Sequence, residues 1–536
     1  MKVIKKYSSL LLIALLFLAT SCEEKFNEIN TNPNQPNETQ GATPALLSQA
    51  LRDIAFNDFD EWNGGRQAFV ASQQWAQRNY TSEDRYAFRE SVTDAFFRNN
   101  YIWMNNLEKI IKLNTDAATK DKMASLYGEN KMQIAVANTV KAWVFQLLTD
   151  SFGDIPYSEA LNYVANPSPK YDSQKDIYDA LIATLKQAAT DLGNSSAGFP
   201  SGDLFYKGDT DKWRKLANTL RLRLALRASN VDASYLAEAQ SAINDGVLDS
   251  NADNAQVNFS TVGDPNEAPL YAAFYTDGRN DFTMTRQFVN LMKGLDDSNK
   301  SFVNPYNGIV DPRLAIYRGP SMSESRTGVP YGMPDADTKA FVKANSVISY
   351  SPALAQSDNS IIIRANYPST FIDYPTVCFM KSEVLGWDAN EFQKGIIASC
   401  DMWGVPAADR DAYVTAVMAK FASASPAQKK ELVLTNKYIH LYTQPYEAWA
   451  EYRRTGYPKS LVKPGEITAV IGGVQKIFTP VTGKESGNDI VARFLYPTSE
   501  FTLNKTNVDA AATKIGGNSH KTRVWWAGGG SQEGIN

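Results

Sequence analysis

Residues 208–229 read GDTDKWRKLANTLRLRLALRAS, and their apolar side chains recur at the spacing of an α-helix. Trp213, Leu216, Leu220 and Leu224 follow one another at intervals of three and four residues and form a single apolar stripe. The same stretch contains three arginines, which we predict on the flanks of that stripe: Arg221, Arg223 and Arg227. A helix with one apolar face must bury that face against another element. The stretch therefore predicts one member of a helix pair.

Helical patterns continue on both sides of this stretch. The predicted helices cover residues 92–113, 119–149, 172–193, 209–229, 232–246, 282–294, 375–403, 409–423 and 426–454. Pro445 lies inside the last of these ranges, where we expect it to kink the helix, because proline removes a backbone donor and clashes with the preceding turn. The sequence thus predicts a mainly α fold built from paired helices.

Between about residues 247 and 372 the helical periodicity is lost. Glycine, proline, asparagine, aspartate and tyrosine become frequent there, and the segment is much longer than an ordinary loop. We expect a loop-rich, weakly β insertion that forms a functional surface on one face of the scaffold. The last 75 residues are mixed, with β-prone pieces such as GGVQKIFTPV at 472–481. Residues 46–536 are predicted to form a single domain.

The N-terminus carries an export signal. Lys2, Lys5 and Lys6 precede an apolar run from Leu10 to Ala19, and small residues lead directly to Cys22. This order is typical of a signal peptide that ends in a lipobox, so residues 1–21 are predicted to be removed and Cys22 to be lipidated. A plain signal peptide with a chance cysteine is the alternative. The polar residues 22–45 then form a flexible tether between lipid and body.

Composition excludes several classes of protein. The formal net charge is −4, with no polybasic stretch, which argues against a nucleic-acid partner. Beyond the signal, no apolar run approaches the length of a membrane span. Once Cys22 is assigned to lipid, only Cys378 and Cys400 remain. Both lie in apolar helical surroundings, so two buried free thiols are favoured over one disulfide bridge.

The sequence contains little that indicates catalysis. Only two histidines, His440 and His520, are present, and none of the common zinc, phosphate-binding or nucleophile motifs occurs. His440 lies on an aromatic-rich helix, where a buried and hydrogen-bonded histidine is expected. A pair of carboxylates could still perform acid–base chemistry, since such a pair leaves almost no signature in a sequence. We predict that the protein is not an enzyme and uses no cofactor, and the sequence assigns no residues as metal ligands.

Several short blocks have an unusual residue order. They are LTDSFGDIPYSEA (148–160), the stretch from Gly208 to Ala225, EAWAEYRRTGYP (447–458), RFLYPTSE (493–500), Asp311-Pro312-Arg313, TRVWW (522–526) and, in the tether, TNPN (31–34). In the first block Gly153 permits a tight turn, while Asp150 and Asp154 are placed to cap backbone donors. Taken in their order along the chain, the blocks resemble those of the SusD/RagB family of nutrient-binding outer-membrane lipoproteins, particularly its SusD-like branch.

The resemblance implies a scaffold of tetratricopeptide-like helix pairs with the loop-rich part on one side. It also implies a lipid-anchored protein at the outer membrane, facing the cell surface. There it would capture a nutrient, a glycan oligosaccharide or a peptide, and deliver it to a SusC-like TonB-dependent transporter. Two other functions stay open at this point: a surface-displayed hydrolase that uses a carboxylate pair, and a structural subunit that binds only a partner protein.

Binding of a glycan needs flat aromatic faces together with a few polar partners. The candidates are aromatic residues in the loop-rich segment and near the N-terminal helices: Trp62, Trp75, Tyr80, Tyr275, Tyr306, Tyr317 and Tyr331. We expect most contacts to come from the tyrosines of residues 251–349, which also include Tyr271. Trp62, Trp75 or Tyr80 would complete the pocket.

Overall fold

The structure is a computed structural model that describes residues 41–261, 266–297, 299–319, 322–350 and 361–529. The predicted signal peptide, Cys22 and nearly all of the predicted tether lie outside the described residues. No helix in the described part of the chain is both long and apolar enough to cross a lipid bilayer.

Helices dominate the described chain. In the N-terminal half they are α1 (Thr43–Asn57), α2 (Glu90–Thr115), α3 (Lys120–Tyr127), α4 (Asn130–Phe152), α5 (Gln174–Gly193), α6 (Thr210–Ala228) and α7 (Tyr235–Asn244). The loop-rich segment contains the short helices α8 (Pro269–Tyr271), α9 (Arg286–Met292), α10 (Arg313–Arg318) and α11 (Asp335–Ala344). The remainder are α12 (Tyr374–Val384), α13 (Ala389–Met402), α14 (Ala407–Ala422), α15 (Pro426–His440), α16 (Pro445–Thr455), α17 (Glu500–Leu503) and α18 (Lys505–Lys514).

Three of the predicted helices are each divided into two. The range 119–149 breaks at Gly128, whose φ of 96° ends α3. The range 375–403 breaks at Gly386, with φ 74°, and restarts where Asp388 caps α13. The range 426–454 ends at His440 and restarts at Pro445, which is the first residue of α16 rather than a kink within one helix. Proline is well suited to this first position because its missing N–H has no helical partner there.

Consecutive helices pack as neighbours. Close packing joins α4 to α5, α5 to α6 and α6 to α7, and a second series joins α12 to α13 and α13 to α14. Trp213 on α6 is fully buried, which confirms that its apolar stripe faces the core, and Trp449 on α16 is fully buried as well. The prediction of a mainly α fold of paired helices is confirmed as well.

The strands are short and form four two-stranded antiparallel sheets among the described residues. The pairs are β1 (Trp75–Gln77) with β5 (Phe282–Met284), β2 (Ile155–Pro156) with β3 (Tyr171–Asp172), β4 (Ala255–Val257) with β6 (Ser369–Ile372), and β7 (Ile467–Ile471) with β8 (Val474–Ile477). In the first pair Trp75 lies opposite Met284 and Gln77 opposite Phe282. This pairing attaches the loop-rich segment to the chain between α1 and α2.

The three arginines of α6, which were predicted on the flanks of its apolar stripe, are buried in the protein. Arg221, Arg223 and Arg227 are all buried, at 1%, 5% and 1% exposure. Each has polar partners: Arg221 pairs with Glu238 at 2.5 Å, and Arg223 donates to the Gln146 side chain at 2.9 Å. Burial of a guanidinium group is tolerated because these partners replace its lost hydration. The helix is therefore buried around most of its circumference.

Arg227 lies at the centre of a buried ion network. Its guanidinium group pairs with Asp150 on α4 and with Glu447 on α16, the latter at 2.5 Å. Glu451 lies 3.3 Å from Arg227 and also accepts from Lys437 at 2.8 Å. Asp150 further accepts hydrogen bonds from two side chains, Tyr178 and Trp526. Three of the blocks that carry the family resemblance, around residues 150, 447 and 526, therefore meet at Arg227, which lies two residues beyond the end of a fourth.

The structure also tests the sequence predictions for two aspartates, two cysteines and one histidine. Asp154 caps α5 by accepting from the backbone N–H of Gln174 at 2.9 Å, as predicted, whereas Asp150 does not cap and belongs to the ion network. Cys378 and Cys400 are buried free thiols, as predicted. His440 is also buried and hydrogen-bonded as expected, with Ser399 and Asp373 at 2.8 and 2.9 Å from its ring nitrogens.

Candidate functional site

Four of the aromatic candidates are buried and cannot form an exposed stacking surface. Tyr306, Tyr317 and Tyr331 are 2%, 0% and 0% exposed, and Trp75 is 0% exposed. Tyr306 donates its hydroxyl to the Leu432 carbonyl at 2.5 Å, which anchors the loop against α15. The assignment of these four side chains to a ligand surface was wrong. The loop-rich segment packs its tyrosines onto the helices, so most of them extend the core.

The other four aromatic side chains reach the surface. Trp62 is 40% exposed and Tyr80 is 64% exposed. Tyr271 and Tyr275 are half-buried and stack on each other, with ring centroids 4.7 Å apart and planes inclined by 28°. We call Trp62, Tyr80, Tyr271 and Tyr275 the aromatic platform.

The β1–β5 pair positions Tyr80. Beyond β1, the backbone N–H of Arg78 donates to the Asp281 carbonyl at 2.6 Å and continues the ladder by one residue. Tyr80 then adopts a left-handed φ of 59°, and its N–H donates to the Asp335 carboxylate at 2.9 Å. The side-chain amides of Asn79 and Asn280 lie 3.5 Å apart across the end of the two strands. The phenol ring is thereby held at the edge of the sheet.

Trp62 is held by a π-helical turn, Glu61–Phe69, that follows α1. Asp60 caps this turn by accepting from the Asn63 N–H at 2.6 Å. The guanidinium groups of Arg66 and Arg89 lie 4.9 and 5.8 Å from the centre of the indole ring. Such cation–π contacts fix the orientation of the ring and leave part of it open to solvent.

A buried charge cluster supports this surface from below. Arg66, 1% exposed, pairs with Glu61 at 3.2 Å and with Glu83 and Asp281 at 3.4 Å. Arg279 pairs with Asp281 at 2.9 Å. Burial raises the pKa of Glu61, and the positive charges of Arg66 and Arg279 oppose that rise. Glu61, Glu83 and Asp281 are thus each paired with an arginine, an arrangement that makes a scaffold rather than a free acid–base pair.

The stacked tyrosines are joined to the same sheet. The N–H of Arg279 donates to the Ala273 carbonyl at 3.0 Å, and Arg279 lies just before β5. Thr276 donates its hydroxyl to the buried carboxylate of Glu267 at 2.7 Å. All four platform residues therefore belong to segments that flank or contact the β1–β5 pair.

The polar groups of this surface were missed by the sequence analysis. They are Asn79, Asn280 and Arg279, all at the ends of β1 and β5. Each is a few residues from a platform aromatic, so proximity to Tyr80 and Tyr275 in the sequence could have indicated them. Aromatic faces beside amide and guanidinium donors suit a ligand that is flat on one side and rich in hydroxyl or amide groups at its edge.

Comparison with known proteins identifies the family. A family model described as "Starch-binding associating with outer membrane" matches residues 33–497, so the chain belongs to the SusD-like family. No curated protein matches the chain.

Solved structures share the fold along nearly the whole chain. A chitin-binding protein is 25% identical, with a TM-score of 0.69, and covers 91% of this chain and 100% of its own. A chitin-binding SusD homologue from Flavobacterium johnsoniae is 22% identical, with a TM-score of 0.69, 90% coverage of this chain and 98% of its own. A SusD homologue from Parabacteroides distasonis is 22% identical, with a TM-score of 0.72, 91% coverage of this chain and 98% of its own.

Proposed function

We propose that this protein is a non-catalytic lipoprotein of the outer membrane that captures a glycan oligosaccharide on the aromatic platform. The observation that carries the proposal is the platform itself. Trp62 and Tyr80 are large aromatic side chains with 40% and 64% exposure, held by backbone and cation–π contacts at the edge of one small sheet. Ordered aromatic faces of this kind stack on sugar rings without a large loss of side-chain entropy.

Two further observations support a glycan. The family description names starch, and two proteins of the same fold are described as chitin-binding. We therefore propose a β-linked N-acetylglucosamine or an α-linked glucose oligosaccharide as the ligand, with a peptide as the second candidate. The pairing of Glu61, Glu83 and Asp281 with Arg66 favours binding over hydrolysis, because each carboxylate is already engaged.

The test is a titration of the mature chain carrying Cys22→Ala with chitin oligosaccharides, maltooligosaccharides and a peptide library. We expect an oligosaccharide to bind and not to be cleaved. Trp62→Ala and Tyr80→Ala should each weaken that binding roughly three- to tenfold, the loss of one stacking contact. Their melting temperatures should stay close to that of the wild type, since both side chains are exposed.

Tyr163→Ala is the matched control, because Tyr163 is 76% exposed and lies outside the platform, between β2 and β3. It should bind like the wild type. Equal affinity of all three variants and the wild type would exclude the platform as the binding surface. Release of shortened products would instead support the hydrolase.

We also propose that the protein passes its ligand to a SusC-like TonB-dependent transporter in the same membrane. The description of the family as associating with the outer membrane supports this partner. Mild detergent extraction followed by affinity purification of the lipidated protein should recover such a transporter in stoichiometric amounts. Recovery of the protein alone, under conditions that preserve other membrane complexes, would contradict the partnership.

A further inference from the structure

A cleft that could hold a ligand lies outside the aromatic platform. It has a volume of about 340 Å³ and opens between the chain around β4, the segment that leads into β6, and the C-terminal end of α13. Its polar and aromatic lining comprises Asn251, Asn254, Gln256, Asn366, Tyr367 and Trp403. It shares no residue with the platform.

The lining has a distinctive chemistry. Four side-chain amides supply both donors and acceptors, two aromatic rings supply flat faces, and Arg364 adds a guanidinium group. The described residues that line the cleft include no carboxylate. A cation or an amine would find no counter-charge here, whereas the hydroxyl and carbonyl groups of a neutral sugar would find complementary amides.

Two polar atoms beneath the cleft have no hydrogen-bond partner among the described residues. They are the indole Nε1 of Trp403, a side chain only 3% exposed, and the Oδ1 atom of Asn251. A buried donor or acceptor that lacks a partner costs free energy, and most such atoms in folded proteins are satisfied. Both residues line the cleft, so a ligand that hydrogen-bonds to these atoms would remove that cost.

The cleft is held in shape by contacts on its far side. The Trp403 ring lies 4.5 Å from that of Tyr317 and 6.1 Å from that of Tyr367. Asn251 donates to the Ala398 carbonyl at 2.9 Å, and the Oδ1 atom of Asn254 accepts from the Tyr374 N–H at 2.8 Å. These contacts fix the aromatic and amide groups before any ligand arrives, which lowers the entropic cost of binding.

We propose that this cleft is a second saccharide site, which holds a neutral unit of one or two sugar rings. Its volume lies at the small end of the range of ligand pockets, about 300–1,000 Å³, and sets that size. The ligand class rests on the proposed function, but the site rests on its own residues. With two sites on one chain, a polysaccharide would stay bound for a longer time than with either site alone, because the second contact becomes intramolecular.

The tryptophan indole N–H groups provide a direct test in one sample. The chain contains ten tryptophans, so the mature protein with Cys22→Ala and ¹⁵N-labelled tryptophan gives few indole signals. Trp62→Phe and Trp403→Phe assign the platform and cleft signals, and Trp387→Phe assigns a half-buried reference that lies in neither site. The probes are chitobiose and maltose, followed by longer chitin and maltose oligosaccharides.

We expect the Trp403 signal to shift in a saturable manner with at least one disaccharide, while the Trp387 signal stays in place. A shift at Trp62 without one at Trp403 would overturn the cleft and leave the proposed function standing. A shift at Trp403 alone would support the cleft and overturn the platform. No shift at either signal with any probe would overturn both.

A variant at the rim adds a second measurement. Asn366 is exposed, so Asn366→Ala should fold normally and weaken the Trp403 titration about fivefold, the loss of one hydrogen bond. Asn390→Ala, at an equally exposed asparagine on α13 outside the cleft, is the control and should titrate like the wild type. If the two variants bound the disaccharide with equal affinity, Asn366 would not contact the ligand and the proposed saccharide site would be overturned.

Discussion

His520 is a buried histidine, 5% exposed, near the C-terminus. Its Nδ1 atom lies 2.9 Å from the carbonyl oxygen of Arg493. Burial lowers the pKa of His520 to about 4, the hydrogen bond to that carbonyl opposes the shift, and the charges of Arg493 and Lys484 add to it. In the folded protein the imidazole side chain of His520 is therefore neutral near pH 7.

The low pKa of His520 predicts an acid-sensitive stability. An unfolded histidine has a pKa of about 6.5, so between pH 6.5 and 4 the unfolded state binds more protons than the folded state. This contribution is complete above pH 6.5 and is lost as the pH falls towards 4, by about 3 kcal/mol. Urea unfolding at pH 7.5 and 4.5 measures it, and His520→Gln should lose less stability over that interval. Equal losses in variant and wild type would contradict the assignment.

Tyr306 should contribute to stability, although its position in a loop suggested an exposed ligand-binding side chain. The sequence indicated an exposed ring, whereas the structure buries it to 2% exposure. Tyr306→Ala should therefore lower the free energy of unfolding by about 3 kcal/mol, the usual cost of deleting a buried aromatic ring. Thermal unfolding beside Tyr80→Ala tests this, because the exposed Tyr80 should have almost no effect. An unchanged melting temperature for Tyr306→Ala would mean that the ring is not in the core.

At the scale of one element, α6 depends on its N-cap. The Asp209 carboxylate accepts from the N–H groups of Asp211 and Lys212, both at 3.1 Å. Asp209→Ala should reduce the free energy of unfolding by about 1 kcal/mol, because two N–H groups of the first turn lose their acceptor. Asp209→Ser keeps an acceptor and should retain most of the stability in the same urea titration. Equal losses in both variants would show that the cap itself contributes little.

Helix boundaries show the limit of periodicity as a guide. Apolar residues continue at helical spacing across Gly128, Gly386 and the residues before Pro445, so each neighbouring pair of helices is predicted as one. A positive φ at glycine turns the chain without changing that spacing. The breaks let the chain fold back into helix pairs, and this requirement is tertiary. The positions of the helices were thus predictable, while several of their ends were not.

At the scale of the molecule, the network around Arg227 joins distant parts of the chain. Within it, Glu451 contacts Arg454 and Lys437 at 2.8 Å. Burial would raise the pKa of Glu451, but the positive charges of Arg454, Lys437 and Arg227 outweigh it and hold the pKa well below its usual value. The carboxylate is therefore ionised in the folded state and balances these buried cations.

Removal of Glu451 should be strongly destabilising. Glu451→Ala leaves buried positive charge without its partner, a change that costs about 3–5 kcal/mol. The control is Asp509→Ala, which removes an exposed ion pair with Lys505 on α18 and should change stability little. Calorimetric unfolding of the two variants measures the difference. Similar melting temperatures would show that the network is not needed for stability.

We predict that attachment of the protein to the membrane depends on Cys22. If the thiol is acylated, Cys22→Ala should move the protein from the membrane fraction to the periplasm or the medium, because the acyl chains are its anchor. Fractionation, with acylation followed by a labelled fatty acid, checks this. A variant that stays in the membrane fraction would contradict the lipobox interpretation.

The sequence by itself determined the helical scaffold and, through its ordered blocks, the family. Both depend on local information: the spacing of Trp213, Leu216 and Leu220 along one helix, and short motifs such as the one around Gly153. It also indicated the buried, paired state of His440, since a lone histidine among aromatic residues has few other roles. These features are encoded within a few turns of chain.

Only the tertiary structure decided which side chains a ligand can reach. Tyr306 and Tyr80 both occur in irregular segments with similar neighbours, yet one is 2% exposed and the other 64%. The difference comes from α15, more than 100 residues away, which covers Tyr306 and not Tyr80. Arg227 is buried for the same kind of reason, because acidic residues from two distant helices, α4 and α16, surround it. Exposure is a property of packing between remote parts of the chain, and no local pattern in the sequence records it.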